Sequence, residues 1–183
     1  MALLCFELFA LSVSSEDLFA RRAADQLHIL APRLHFLAGK TLQRLHDGLS
    51  VPFDFHLTIA AGSRNNVVAH SFGRFTVSYD VWEEKFRVVR LGNLRKSGYL
   101  SVNGAESWCI ENIFVPVNAV PAGKDLWARL EVRSAEPKEQ SSLLADAGIS
   151  IATLIELFSR QPRPQQDHWT LESAPFHLAD LKQ

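Results

Sequence analysis

The stretch FGRFTVSYDVWEEKFRVVRLGN, residues 72–93, has the clearest strand pattern in the sequence. Phe75 and Val77 alternate with polar residues before a turn, and Phe86 and Val88 alternate with Arg and Val after it. Successive side chains of a strand point to opposite faces of a sheet, so this stretch predicts an antiparallel hairpin. Its aromatic side is expected in the core and its basic side in solvent.

Three other segments predict strands. Apolar residues occupy the odd positions of VPFDFHLTIA (51–60) and the even positions of LWARLEVRS (126–134). This period of two is typical of a strand with one buried face. The segment HWTLESAPFHL (168–178) predicts a last strand that closes the sheet.

Helical signals are shorter. Leucine spacing predicts a helix from about residue 38 that ends at Asp47, because Gly48 suits the left-handed position after a helix. A second, amphipathic helix is predicted in SIATLIELFSR (150–160), with Phe158 in its apolar stripe.

Residues 97–113 allow two interpretations. Asn103-Gly104 is a strong signal for a two-residue hairpin turn. Alternatively, Asn103 caps a helix, with Glu106 as its capping-box partner and Trp108 and Cys109 facing the sheet. The polar residues fit poorly on two strands, so we predict the helix.

The N-terminal residues 1–15, MALLCFELFALSVSS, predict a first strand with two apolar faces. An export signal is the alternative, but the stretch lacks a basic beginning and Glu7 interrupts it. The next segment, SSEDLFARRAADQL (14–27), has the N-cap signal of a helix. No stretch reaches the ~18 apolar residues that cross a bilayer, which predicts a soluble chain without a transmembrane segment.

The composition is that of one globular domain. A chain of 183 residues with 47% hydrophobic content can bury a sizeable core without disulfides or a structural metal. Cys5 and Cys109 form no CxxC motif and are expected as buried hydrophobes, with a single disulfide as the alternative. We therefore predict a single domain over residues 1–183: an α+β fold with an antiparallel twisted sheet or β-sandwich and three short helices packed on one face or end.

Three of these segments together resemble a known family. The stretches LHDGLSVPFDFHLTI, RFTVSYDVWEEKFRV and LWARLEVRS are similar in pattern to an uncharacterised bacterial β-rich family, a domain of unknown function. The resemblance covers about residues 3 to 133. The resemblance implies a cell-envelope location and no catalytic residues. Because we interpret the N-terminal stretch as a strand and not as an export signal, the compartment stays open.

No catalytic motif stands out. GxSxG, Walker, GxGxxG and HExxH patterns are absent, and the seven histidines have no repeated ligand spacing. Asp54 and His56 are the nearest approach to an acid–base pair, although residues two apart on a strand lie ~7 Å apart. Asp80, Glu83 and Glu84 at the hairpin tip are weighed as a calcium site and interpreted as solvated acids. We predict no cofactor and no metal, and we favour a binding protein over an enzyme.

The strongest functional candidate is a run of cations. Within residues 85–96 the sequence has five basic residues and no acid, with Trp82 and Tyr99 close by. Such a surface fits a protein partner or an anionic lipid surface, whereas the net charge of −1 argues against nucleic acid. The candidate partner surface comprises Lys85, Arg87, Arg90, Arg95, Lys96 and the outward-facing Trp127.

These residues lead to two functional hypotheses. The first is a non-catalytic binding or scaffold module that docks its partner through the sheet. The second is a small-ligand carrier or weak hydrolase with a pocket between sheet and helices, lined by Trp108, Phe158 and Trp169. The ligand, the partner and the oligomeric state do not follow from the sequence.

Overall fold

The computed structural model of the protein describes residues 17–92, 95–134 and 167–181. Three features expected from the sequence lie outside these ranges: the N-terminal strand 1–15, the helix 150–160 with Phe158, and the state of Cys5.

The described residues form nine strands and two α-helices, with 3-10 turns at Val117–Ala119 and Leu178–Asp180. In chain order they are β1 (Phe19–Ala23), β2 (Gln26–Leu30), α1 (Gly39–His46), β3 (Val51–Ala61), β4 (Val67–Asp80), β5 (Lys85–Arg90), β6 (Arg95–Lys96), α2 (Val102–Glu111), β7 (Phe114–Pro116), β8 (Leu126–Ser134) and β9 (His168–Glu172).

All the strands pair antiparallel and belong to two sheets. The larger sheet has the order β6-β5-β4-β3-β8-β9, and the smaller one has the order β1-β2-β7. The predicted α+β class with antiparallel sheets is confirmed. We expected three helices, whereas the described part of the chain forms two, and the third expected helix falls outside it. Neither of these two helices has the length and apolar character needed to span a bilayer.

The centre of the larger sheet is β3, which pairs with β4 on one side and β8 on the other. Its alternate residues are fully buried, as the sequence predicts. The even-numbered apolar residues of β8 are buried on the same side because the register places Leu57 opposite Leu130. Side chains from both sheets and from both helices join this core. The fully buried residues of β3 are Val51, Phe53, Phe55, Leu57 and Ile59.

The helix signal over residues 14–27 is wrong for its described part. Phe19–Leu30 fold instead into the hairpin β1-β2, which turns at Ala24 and Asp25 with Ala24 at a φ of 50°. Alternation explains the difference. Leu27 and Ile29 are two residues apart and are both fully buried, because they lie on the same face of a strand. An N-cap signal gives no information about such burial.

The helical interpretation of residues 97–113 is confirmed by α2, but its contacts differ from those predicted. Ser101, not Asn103, is the cap, and its hydroxyl accepts a hydrogen bond from the Gly104 N–H at 3.2 Å. Glu106 is buried rather than part of a capping box. Its carboxylate accepts a hydrogen bond from the Leu37 N–H at 2.8 Å and contacts His35 Nδ1 at 3.0 Å, so it ties the preceding loop to the helix.

Two further details of the helices agree with the sequence. Helix α1 is capped at Asp47, and Gly48 follows with a φ of 82°, the left-handed conformation expected there. Cys109 of α2 is buried with a free thiol. Burial raises the pKa of this thiol well above its usual value, and nearby Glu106 adds to the effect, so the thiol stays protonated and unreactive.

A row of aromatic rings crosses the core. From Trp169 through Phe36, Phe55 and Phe75 to Trp108, successive ring centroids lie 6.4, 5.3, 5.1 and 6.0 Å apart, all edge-to-face. Such pairs stabilise a core by about 0.5–1.5 kcal/mol each beyond the area they bury. The row connects the far strand β9 to helix α2 across the larger sheet.

Gly73 gives this row its space, and its replacement tests the packing. Gly73 lies opposite Phe55, and an added Cβ would lie 2.5 Å from Ile113 Cδ1 and 2.9 Å from Phe75 Cε2. We expect Gly73→Ala to lower the free energy of unfolding by about 1–3 kcal/mol, measured by urea denaturation. Gly98→Ala is the control because its Cβ meets nothing within 4 Å. Equal stability of the two variants would contradict this packing.

Candidate functional site

The hairpin β4-β5 carries most of the predicted cations. Its turn, residues 81–84, is exposed, and Phe86 and Val88 of β5 are buried as predicted. Arg87 lies on the opposite, outward face and is exposed, whereas Arg90 shares the face of Phe86 and lies with its guanidinium 5.9 Å from the Phe75 ring. Burial lowers the pKa of Arg90, and Arg95 beside it lowers that pKa further.

Strand β6 completes this edge of the sheet. Lys96 pairs with Val89 and Arg95 pairs with Arg90, so the pairing puts Lys96 on the face of Arg87 and Arg95 on the face of Arg90. We call Lys85, Arg87, Arg90, Arg95 and Lys96 together the basic edge. The structure brings these five predicted residues together on two neighbouring strands and divides them between two faces.

A bulge follows β6. Lys96 lies opposite Val89 and Leu100 lies opposite Phe86, so the outer segment takes four residue steps where β5 takes three. Ser97 bridges the irregularity: its N–H donates to the Val88 carbonyl at 2.9 Å, and its hydroxyl accepts from the Val88 N–H at 2.9 Å. The extra residue makes the segment Ser97–Tyr99 bow away from β5.

The bulge opens a cleft of about 310 Å³ on the outward face. Its polar lining comes from three successive strands and the bulge. The residues that matter chemically are Ser78, Arg87, Lys96, Ser97, Gly98 and Tyr99. The sequence predicted the cations but not the cleft, since a bulge depends on how two strands pair.

Tyr99 fixes the position of Arg87 in this cleft. The Arg87 guanidinium carbon lies 4.0 Å from the centre of the Tyr99 ring, and Arg87 Nη2 donates a hydrogen bond to the Tyr99 hydroxyl. That hydroxyl donates in turn to Asp80 Oδ2 at 3.3 Å. The other oxygen of Asp80 accepts hydrogen bonds from the backbone N–H groups of Trp82 at 3.1 Å and Glu83 at 3.3 Å.

The acids at the hairpin tip do not neutralise the basic edge. Among the described residues, no carboxylate oxygen lies within 4.0 Å of a side-chain nitrogen of Lys85, Arg87, Arg90 or Lys96. Nor do His, Cys, Asp and Glu side chains in the described ranges form a group of three that could hold a metal ion. The residues that line the cleft include two cations, Arg87 and Lys96, and no acid.

The remaining predicted site residues lie elsewhere. Trp127 is half-buried on β8, which β3 and β4 separate from β5, so the structure does not bring it to the basic edge. Trp108 and Trp169 are half-buried at the two ends of the aromatic row, with three phenylalanine rings connecting them. Their predicted pocket partner Phe158 lies outside the described residues.

Asp54 is not paired with His56 as an acid–base couple. Both of its carboxylate oxygens bind Arg74, which lies opposite on β4: Nε to Oδ1 at 2.5 Å and Nη2 to Oδ2 at 2.6 Å. The side chains of this pair are 3% and 2% exposed. We expected Asp54 and Arg74 to be in solvent, and this expectation was wrong. Alternation shows on which face of a strand a residue lies, but it does not show what covers that face.

His56 lies farther along the same face, opposite Phe72 on β4 and Glu131 on β8. Burial lowers the pKa of His56. Glu131 partly offsets this, while His70, Arg133 and Arg129 lower the pKa further. The pKa of His168 on β9 is lowered too, chiefly by burial and next by Arg133. This face therefore disfavours additional positive charge.

No protein-family model, curated protein or solved structure matches the chain. The resemblance to the bacterial β-rich family thus remains a prediction from sequence pattern, and the site is interpreted from its own geometry.

The Asp54–Arg74 pair yields a stability prediction. Asp54→Ala removes the carboxylate that two buried guanidinium nitrogens bind, so we expect a loss of about 3–5 kcal/mol in the free energy of unfolding. Asp17→Ala is the matched control, because Asp17 pairs with the exposed Arg33 and should contribute less than about 1 kcal/mol. Urea denaturation of both variants measures the difference, and similar losses would refute a structural role for the buried pair.

His56 yields a prediction on pH. Its pKa is lower in the folded protein than the ordinary 6.5, so the unfolded chain binds more protons as the pH falls. Stability should therefore decrease as the pH falls below about 6.5, and the decrease should end once the pH is below the folded pKa. We expect His56→Gln to flatten this dependence in urea denaturation across that range. An unchanged slope would exclude His56 as a source.

Proposed function

We propose that this protein is a non-catalytic binding module that docks an anionic segment of a partner protein at the basic edge. The observation that carries the proposal is the charge of the cleft lining, which contains the cations Arg87 and Lys96 and no acid. Lys85 lies on the same outward face, and no carboxylate oxygen of the described residues lies within 4.0 Å of a side-chain nitrogen of these three cations. Cations that form no ion pair within the protein are available to an anionic ligand.

Preorganisation supports this role. The ring and hydroxyl of Tyr99 hold the Arg87 guanidinium, so less side-chain freedom is lost when Arg87 binds an anion. Arginine binds carboxylates and phosphates in a bidentate manner, which gives such a contact geometric specificity.

The hairpin tip favours a protein over a lipid surface as the partner. Trp82 is 96% exposed and Val81 is 63% exposed, so an apolar anchor stands beside the basic edge. Tryptophan and arginine are enriched among the residues that contribute most of the binding energy in protein interfaces. Glu83 and Glu84 directly follow Trp82, so the acids repel a uniformly anionic membrane that meets the tip. A protein segment avoids this repulsion if it places an apolar residue at the tip and its acids at the cleft.

The carrier alternative receives less support. It requires Trp108 and Trp169 to line one pocket between the sheet and the helices. Their contacts with Phe75 and Phe36 instead make them parts of the packed aromatic row.

Charge reversal at the cleft tests the proposal. The probe is a fluorescent Asp-rich peptide in low salt, with binding followed by anisotropy. We expect Arg87→Glu/Lys96→Glu to weaken binding by at least about tenfold, because two attractions become repulsions and about 1.4 kcal/mol corresponds to a factor of ten. Arg21→Glu/Lys40→Glu changes the net charge equally at two exposed sites outside the basic edge and should retain the affinity.

Thermal melts of both double variants establish that they are folded. Equal loss in the two variants would mean that only net charge matters and would reject the docking site. Vesicles of phosphatidylcholine with phosphatidylserine form a parallel arm. Tighter binding to these vesicles than to the peptide would replace the protein partner by a membrane.

A further inference from the structure

The cleft offers several hydrogen-bond donors besides its charges. Ser78 lies on β4 opposite Arg87, half-buried in the wall of the cleft. In the part of the chain that the structure describes, neither the Ser78 hydroxyl nor the Lys96 ammonium group makes a hydrogen bond. Both therefore have donors available to a ligand.

The bulge adds backbone donors. Ser97 and Leu100 donate their N–H groups to β5, but the N–H groups of Gly98 and Tyr99 between them have no acceptor within the described residues. Gly98 has no side chain, and the space around it is open, so a ligand can approach this backbone closely. Successive free backbone N–H groups beside cations are a common way of binding anions.

From this arrangement we propose that the cleft is a binding site for a phosphoryl group. This inference deepens the proposed docking role and rests on it. A phosphoryl group presents three acceptor oxygens and a charge of about −1.5 to −2, whereas a carboxylate has two oxygens and a single charge. The donors of Ser78, Arg87, Lys96 and the bulge come from three elements around one cleft, which suits a tetrahedral anion better than a planar one.

Arg87 and Tyr99 make the site selective. The hydroxyl of Tyr99 links the guanidinium to Asp80, so that acid orients the site through tyrosine rather than binding the arginine itself. Arg87 can then present its remaining N–H groups as a fixed fork to two phosphoryl oxygens. Lys96, on the flanking strand, supplies a second charge without fixed geometry.

A set of three peptides tests the inference with the full chain. Each is a labelled Asp-rich peptide whose central residue is Ser, Glu or phosphoserine. We expect the phosphoserine peptide to bind about tenfold tighter than the Glu peptide, because the phosphoryl group has one more acceptor oxygen and a larger negative charge. Equal affinities of these two peptides would overturn the phosphoryl site. The docking role would still stand if both bound and charge reversal abolished both.

Conservative variants separate geometry from charge. Arg87→Lys keeps the positive charge but loses the fork, so we expect the affinity for the phosphoserine peptide to fall at least about threefold more than the affinity for the Glu peptide. Ser78→Ala should also reduce the preference, and Lys40→Arg is the control outside the cleft. An undiminished preference in both Arg87→Lys and Ser78→Ala would overturn the assignment of this cleft.

Inorganic phosphate distinguishes the source of the group. Its titration, followed by backbone amide NMR shifts, should move the Gly98 and Tyr99 signals before other signals. If free phosphate displaces the phosphoserine peptide at concentrations near the Kd of the peptide, the site binds the free anion. If it displaces the peptide only at far higher concentrations, the phosphoryl group belongs to a partner. Absence of shifts at Gly98 and Tyr99 with either probe contradicts the proposal.

Discussion

The structure depends on the complete burial of one face of β3. Five alternate residues of this strand have no exposed surface, and both neighbouring strands are aligned to it. A shift of one residue in the register would turn every one of these side chains to the opposite face. The same shift would separate Asp54 from Arg74, so an apolar face and a buried ion pair constrain the register from opposite sides of the sheet.

This constraint also positions the basic edge. The pairing of β4 with β3 begins at Val77, so Ser78 to Asp80 continue beyond β3 and pair with β5 alone. The hairpin thus projects beyond β3, and residues 81–84 at its tip are exposed. Its inner residues, Phe75 and Phe86, are buried in the core. Because the outward residues belong to the same strands, their backbone positions are fixed as well.

Much of the fold could be predicted because alternation is a local property. The faces of Val51 to Ile59 and of Leu126 to Val132, the turn after Asp80 and the helix containing Cys109 all follow from neighbours in sequence. The features that were missed need contacts between distant residues. Glu106 looks like a capping residue until Leu37 and His35 lie beside it, and Asp54 looks solvated until the register places Arg74 opposite. The site shows the same division: the cations were visible in the sequence, whereas the cleft arises from a mismatch of one residue between two paired segments.

The bulged outer strand has a further consequence for the behaviour of the protein in concentrated solution. An exposed sheet edge can template the addition of strands from other chains, which leads to aggregation. Here the last strand has two residues, both cationic and both exposed, and the chain then bows out of the plane of the sheet. A strand from another chain could form few backbone hydrogen bonds at this edge and would meet two positive charges. The features of this edge that we propose to bind an anion therefore also make it a poor template for a strand from a second copy of the sheet.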